Sequence, residues 1–177
     1  MCTVNMEADV ESTIAEVYDM PGHLARRFQQ IAVAVFHAQV GAAGYDLTPV
    51  QYAALVAVAT NPGLDQATLA GLIAYDRATI GGVVERLVQK GFLARRISDR
   101  DRRARELHVT DEWRAAAAAV GPAVLRAQEL MLTGLTPDES RQFMDLLRKA
   151  ITAANDLSRA PLRLSPAEDT AGGGDGA

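Results

Sequence analysis

The sequence predicts a mostly α-helical fold with one small β-hairpin, in which long helices flank a compact central lobe. Three observations lead there. Apolar residues recur at helical spacing through most of residues 21–160. Within residues 65–91, two short helical patterns are separated only by a break at Tyr75. Directly afterwards, residues 92–97 and 105–110 read as two short strands joined by a polar, charged turn at 98–103.

The chain of 177 residues, 49% of them hydrophobic, suffices for one domain with a sizeable core, while two independent domains would be cramped. A net charge of −4 excludes a protein that coats nucleic acid over its whole surface and leaves room for a local basic patch. One cysteine, Cys2, excludes an internal disulfide framework and a multi-cysteine zinc site. There is no run of about 18 apolar residues and no basic segment leading into an apolar core. Neither a membrane span nor a signal peptide is therefore expected, and the expected location is cytoplasmic. His23, His37 and His108 do not fall in ligand spacing, and no phosphate-binding glycine loop is present. An enzyme, a cofactor and a metal site are not expected.

Taken in order, residues 1–20 read as an N-terminal arm, with Val10, Ile14, Val17 and Tyr18 in a short helical pattern. A first long helix spans 21–44, with Leu24, Phe28, Ile31 and Val35 on one face. Thr48 followed by Pro49 supplies an N-cap and a first-turn proline, and Tyr52, Leu55, Val56 and Val58 follow until Asn61-Pro62-Gly63 stops the helix. A short helix over 65–74 carries Leu69, Leu72 and Ile73. The next starts on a cap at Asp76 and reaches Lys90-Gly91. Beyond the hairpin, a long helix from Asp111 carries Trp113 and contains Pro122, which removes one backbone bond and is expected to kink it. The last helix opens on Thr136 and Glu139 at capping-box spacing and carries Phe143, Leu146, Leu147, Ile151 and Leu157. Residues 161–177 read as a disordered tail, too small and polar to bury anything.

The helix from Asp76 is the most informative element. Ile80, Val83, Val84, Leu87 and Val88 form one apolar stripe. The opposite face carries Ala78, Thr79, Gly82, Glu85 and Arg86, with Arg77 in the exposed first turn. Gly81 and Gly82 each cost roughly 1 kcal/mol of helix propensity relative to alanine, so something must compensate. Either close approach to a DNA major groove or tight helix–helix packing would do so. In the groove reading Arg77 and Thr79 reach base edges. Residues 77–105 hold nine basic and three acidic residues on an otherwise anionic chain. A basic hairpin after a helix pair is how a wing reaches the minor groove, although a solvated charged turn is the plain alternative. The fold is then a winged helix-turn-helix domain flanked by long dimerisation helices. Their surplus apolar surface points to a homodimer, whose two-fold axis predicts a palindromic site on double-stranded DNA.

Leu47-Thr48-Pro49-Val50-Gln51-Tyr52, residues 69–76, residues 84–93 and the wing residues Asp99-Arg100-Asp101-Arg102-Arg103 through Leu107-His108-Val109-Thr110 together resemble the MarR family over about residues 21–160. The resemblance implies a dimer whose first and last helices interlock, here residues 21–44 and 111–160, around a DNA-binding lobe at 47–110. It implies a recognition helix in the major groove, Arg103 at the wing tip, Asp101 fixing that arginine, and Asp76 at the position of an aspartate that helps orient it. The DNA-contacting set is then Arg77, Ala78, Thr79, Gly82, Arg86, Arg100, Arg102 and Arg103. Family members bind small, often aromatic anions in a crevice between dimerisation helices and lobe. The candidates here are His23, Arg27, Phe28, Tyr45, Gln51, Tyr52 and Trp113, since an arginine or histidine beside aromatic walls suits a planar carboxylate. Residues 20–30 and 64–76 are similar to nicotinate-degradation repressors of that family, which respond to hydroxylated nicotinate. A ligand-responsive repressor is the function expected. A winged helix used only to bind protein, or a thiol redox sensor switching through Cys2, are the alternatives.

Overall fold

The computed structural model describes residues 16–98 and 105–164. Residues 16–19 are helical, and the elements that follow are α1 (Pro21–Ala42), α2 (Pro49–Thr60), α3 (Gln66–Leu72), α4 (Ile80–Gln89), β1 (Leu93–Ile97), β2 (Arg105–Val109), α5 (Asp111–Met131) and α6 (Pro137–Ala153), with a 3-10 turn at Asn155–Leu157. The mostly helical fold with one hairpin is what the sequence predicts. The strands are antiparallel, from Leu93 opposite Val109 to Ile97 opposite Arg105. Leu107 also accepts from the Gly63 N–H at 3.0 Å and donates to the Leu64 carbonyl at 2.9 Å, so the segment after α2 lies along β2.

α2 is apolar on almost every face and accordingly sits in the middle, with Ala54, Leu55 and Val58 fully buried. Leu69 and Ala70 of α3, Ile80, Val84 and Leu87 of α4, Leu93 and Leu107 of the hairpin, and Trp113, Ala116 and Val120 of α5 close around it. α1 packs along α5 but buries only Phe36 and Val40. The stripe read from its sequence behaves differently: Leu24 and Ile31 remain about half exposed. α6 buries no residue at all, leaving Leu146 and Ile151 open. α5 continues through Pro122 as one helix.

Local signals set the helix starts. The Thr48, Asp65, Thr110 and Thr136 side chains each accept a backbone N–H of the first turn. At α6 the Glu139 carboxylate accepts from both the N–H and hydroxyl of Thr136, at 2.8 Å each, which holds its pKa below the usual carboxylate value. Thr110 does more than cap. Its hydroxyl donates to the Gly91 carbonyl at 2.6 Å and its N–H to the Phe92 carbonyl, tying the end of α4 to the start of α5. Thr110→Ala is expected to cost about 1–2 kcal/mol, read as a lower midpoint in urea with an unchanged slope.

Both helices of the central pair end in the same backbone motif. The Tyr75 N–H reaches the Ala70 carbonyl at 2.8 Å and the Ala74 N–H reaches Gly71, with Ala74 at φ 50°. The Phe92 N–H reaches Leu87 and the Gly91 N–H reaches Val88, with Gly91 at φ 74°. An alanine in the left-handed region makes the turn between α3 and α4 tight without the glycine that would have signalled it.

Two expected boundaries change. The helix from Asp76 begins later, at Ile80. The Asp76 carbonyl accepts the Thr79 and Ile80 N–H groups and the Thr79 hydroxyl, while its carboxylate accepts the Ala78 N–H at 2.8 Å, so residues 77–79 are wound as a tight turn. The tail starts later as well. Pro161–Leu164, read as disordered from composition, lies against α3: the Arg163 N–H donates to the Gly71 carbonyl at 2.9 Å and the Leu162 N–H to Asn155 Oδ1 at 2.8 Å. Most of the N-terminal arm, the wing tip at 99–104 and residues 165–177 lie outside the described residues.

Candidate nucleic-acid interface and ligand groove

α4 separates its two faces sharply. Ile80, Val83, Val84 and Leu87 are buried, whereas Arg77, Ala78, Thr79, Gly82, Glu85 and Arg86 are all exposed. This is the division expected of a helix offered to an external surface. The two glycines behave differently. A Cβ at Gly81 would stand 3.3 Å from Gln66 Nε2, so a side chain there must push the Gln66 amide aside. A Cβ at Gly82 would meet nothing within 4 Å. Packing therefore gives no reason for the second glycine, and its roughly 1 kcal/mol cost in helix propensity is left for an external partner to compensate.

Charge around this face is arranged to leave cations outward. Glu85, the one acidic residue on the exposed side of α4, is paired by Arg95 of β1 at 2.9 Å. Arg95 thus neutralises the helix face, while Arg77, Arg86 and Arg96 stay exposed and make no ion pair among the described residues. Lys90, at the C-terminal end of α4, donates to the Asp46 carboxylate at 2.7 Å and to its carbonyl, which depresses the Asp46 pKa and anchors the helix to the loop before α2. Asp76 is occupied by the Ala78 N–H on one oxygen, and its other oxygen lies 4.0 Å from the Arg159 guanidinium. Arg100, Asp101, Arg102 and Arg103 lie outside the described residues, so any contact between Asp76 and the wing arginine does too.

A second feature lies between α1 and α6. Pro21, Leu24, Ala25, Phe28 and Ile31 of α1 and Phe143 and Leu147 of α6 line a groove of about 500 Å³ whose charged wall residue is Arg27. The Phe28 and Phe143 rings meet edge to face at 5.5 Å. His23 lies one turn before Arg27, its ring against Tyr18 at 5.2 Å, with Nε2 buried and without a hydrogen-bond partner.

Residues 45–104 match the MarR family. The chain is 32% identical over 149 residues to the HTH-type transcriptional repressor NicR of Pseudomonas putida, an alignment covering 84% of this chain and 93% of that protein. The chain belongs to the MarR family. Among solved structures, the PcaV regulator of Streptomyces coelicolor in complex with its natural ligand is 34% identical with a TM-score of 0.69, over 87% of this chain and 99% of PcaV. BpsR of Bordetella bronchiseptica, described for regulation of its DNA binding by 6-hydroxynicotinic acid, is 30% identical with a TM-score of 0.69, over 75% of this chain and 94% of BpsR.

In this MarR-family transcriptional regulator the seven ligand candidates separate. Arg27 and Phe28 line the groove between α1 and α6, whereas His23 packs against Tyr18 and is not part of that lining. Tyr45, Gln51, Tyr52 and Trp113 lie toward the other end of α1, beyond Phe36 and about 14 Å along the helix axis from Arg27. Tyr52 bridges Phe36 and Trp113 at ring separations of 6.1 and 6.2 Å, and Phe92 stacks on Trp113 from the wing side. Gln51 is buried and closes a capping box, accepting the Thr48 N–H at 3.1 Å and donating its own N–H to the Thr48 hydroxyl. That duty was readable in Thr48-Pro49-Val50-Gln51, whose spacing is a capping box. Asn155, Arg159 and Arg163 carried no signal in sequence, because their contacts are with residues about 80 to 90 positions away or within an irregular turn. Among the described residues no helix is long and apolar enough to cross a membrane.

Proposed function

We propose that this regulator is a homodimeric repressor that binds palindromic double-stranded DNA through α4 and the wing and is released by a small aromatic carboxylate such as a hydroxylated nicotinate. The exposed Gly82 carries the DNA reading: it weakens a surface helix, nothing in the protein fills the space above it, and arginines stand on either side. Arg77, Ala78, Thr79, Gly82 and Arg86 enter the major groove, and Arg100, Arg102 and Arg103 follow the flanking backbone and minor groove, with Asp76 and Asp101 orienting Arg103. Residues 47–110 act as the DNA-binding lobe, and residues 21–44 and 111–160 join the two copies. A protein-only winged helix would have no use for the outward arginines, and a redox switch at Cys2 would act from outside the described residues.

The groove at α1 and α6 supports the effector reading. Apolar walls and one arginine suit a planar ring carrying a carboxylate. BpsR, with its 6-hydroxynicotinic acid response, supplies the chemical class. Gel-shift titration on the DNA flanking the gene, with and without 6-hydroxynicotinate, tests the whole: a shifted band that the acid dissolves is expected, and absence of any band would remove the DNA reading. Arg27→Ala is expected to raise the acid concentration needed for release at least tenfold while DNA affinity stays within about twofold, consistent with loss of one charge-assisted pair. An unchanged response would exclude Arg27 from the site, and His23→Ala is its companion.

A further inference from the structure

The segment after α6 is held against the very turn that opens the recognition helix. Asn155 Oδ1 accepts the Leu162 N–H, and the Arg163 N–H bonds to the Gly71 carbonyl, so the chain between them is pinned at both ends. The Arg163 stem lies over Gly71 so closely that a Cβ there would stand 3.4 Å from it. Between this strap and the turn lies a cleft of about 380 Å³, with Tyr75, Asp76, Arg77 and Ala78 on one wall and Arg159, Ala160 and Pro161 on the other. Three arginines, Arg77, Arg159 and Arg163, thus line one opening from segments far apart in sequence. Arg159 is 95% exposed, and its 4.0 Å approach to Asp76 is too long for a hydrogen-bonded pair. Asp76 is in any case engaged by the Ala78 N–H.

We propose that the strap is a third DNA-binding element, and that the cleft between Arg159 and Arg77 receives a phosphodiester group of the DNA backbone flanking the major-groove site. The inference rests on the reading that α4 binds DNA. Three features make it specific. The cleft adjoins Arg77 and Ala78, the first exposed residues of the recognition face, so backbone that flanks α4 passes its mouth. Its cations come from both walls, which suits a group bridged by two arginines. Its one acid, Asp76, is outnumbered by the arginines of the lining, so the opening carries net positive charge. Because Arg159 reads only phosphate, its contribution is independent of base sequence and sensitive to salt.

The test compares the full chain, Arg159→Ala, Arg159→Lys and a chain ended after Ser158, by fluorescence anisotropy on operator and scrambled duplexes across a salt series. Arg159→Ala and the shortened chain are expected to lose about three- to tenfold in affinity on both duplexes, with the salt slope falling by about one unit, and Arg159→Lys is expected to retain most of the binding. Sedimentation and thermal unfolding check that assembly and fold match the parent. Parent-like affinity and slope in Arg159→Ala, while the parent binds its operator, would overturn the strap and leave α4 standing. Loss restricted to the operator would also overturn it, since a phosphate contact cannot distinguish the duplexes. If the parent binds neither duplex, the α4 reading falls and the strap falls with it.

Discussion

Replacing Gly82 with leucine is expected to leave the protein folded, and if anything more stable, while reducing operator binding at least about tenfold, or ~1.4 kcal/mol. The two effects have opposite signs because they arise on opposite sides of the helix surface. Within the protein a side chain at Gly82 meets nothing within 4 Å, and replacing an exposed helical glycine by a good helix former contributes about 1 kcal/mol. Against DNA, the same side chain occupies the layer between helix backbone and base edges, and the neighbours Arg77, Thr79 and Arg86 are lifted from their partners together. Thermal unfolding and operator anisotropy on the same preparation separate the two. A variant that is more stable and binds as the parent does would show that no surface approaches α4 at this position. Gly81→Leu is the internal contrast: it collides with Gln66 across the α3–α4 contact, so its loss of binding should come with loss of stability.

The second large effect concerns assembly. Met144 and Ile151 lie seven residues apart on one face of α6, a helix with no buried residue, and are 41% and 57% exposed in the protomer. An amphipathic helix left uncovered implies a partner surface. The double variant Met144→Asp, Ile151→Asp is expected to remain folded and to raise the dimer dissociation constant at least about a hundredfold, ~2.8 kcal/mol, because two carboxylates must be desolvated to re-form the contact. Sedimentation should show monomer at micromolar concentration, and binding to a palindrome should fall to that of a half-site. A stable dimer carrying both aspartates would place the interface elsewhere. The exposure of this helix is a feature of one protomer, which a two-fold partner would cover.

The sequence alone determined what depends on neighbours within about four residues. Helix periodicity, the caps at Thr48 and Thr136, the short α3–α4 pair and the hairpin were all legible because each is written in local spacing, and their combination carried the resemblance to the MarR family. The late start of α4 and the capping role of Gln51 were local too, the second plainly so once Thr48 is read as the first member of a capping box. Tertiary structure decided the rest. Only packing distinguishes Gly81, which Gln66 crowds, from Gly82, which stands open, although both read as equal costs in the chain. Only packing shows that Phe36 and Val40 bury α1 while Leu24 and Ile31 stay half exposed, and that Arg27 and Phe28 share a groove that Tyr52 and Trp113 do not line. The strap is the clearest case. Residues 161–164 have the composition of a loose tail, and what places them is the Leu162 bond to Asn155 together with the Arg163 bond to the Gly71 carbonyl, which no spacing rule along the chain can reach.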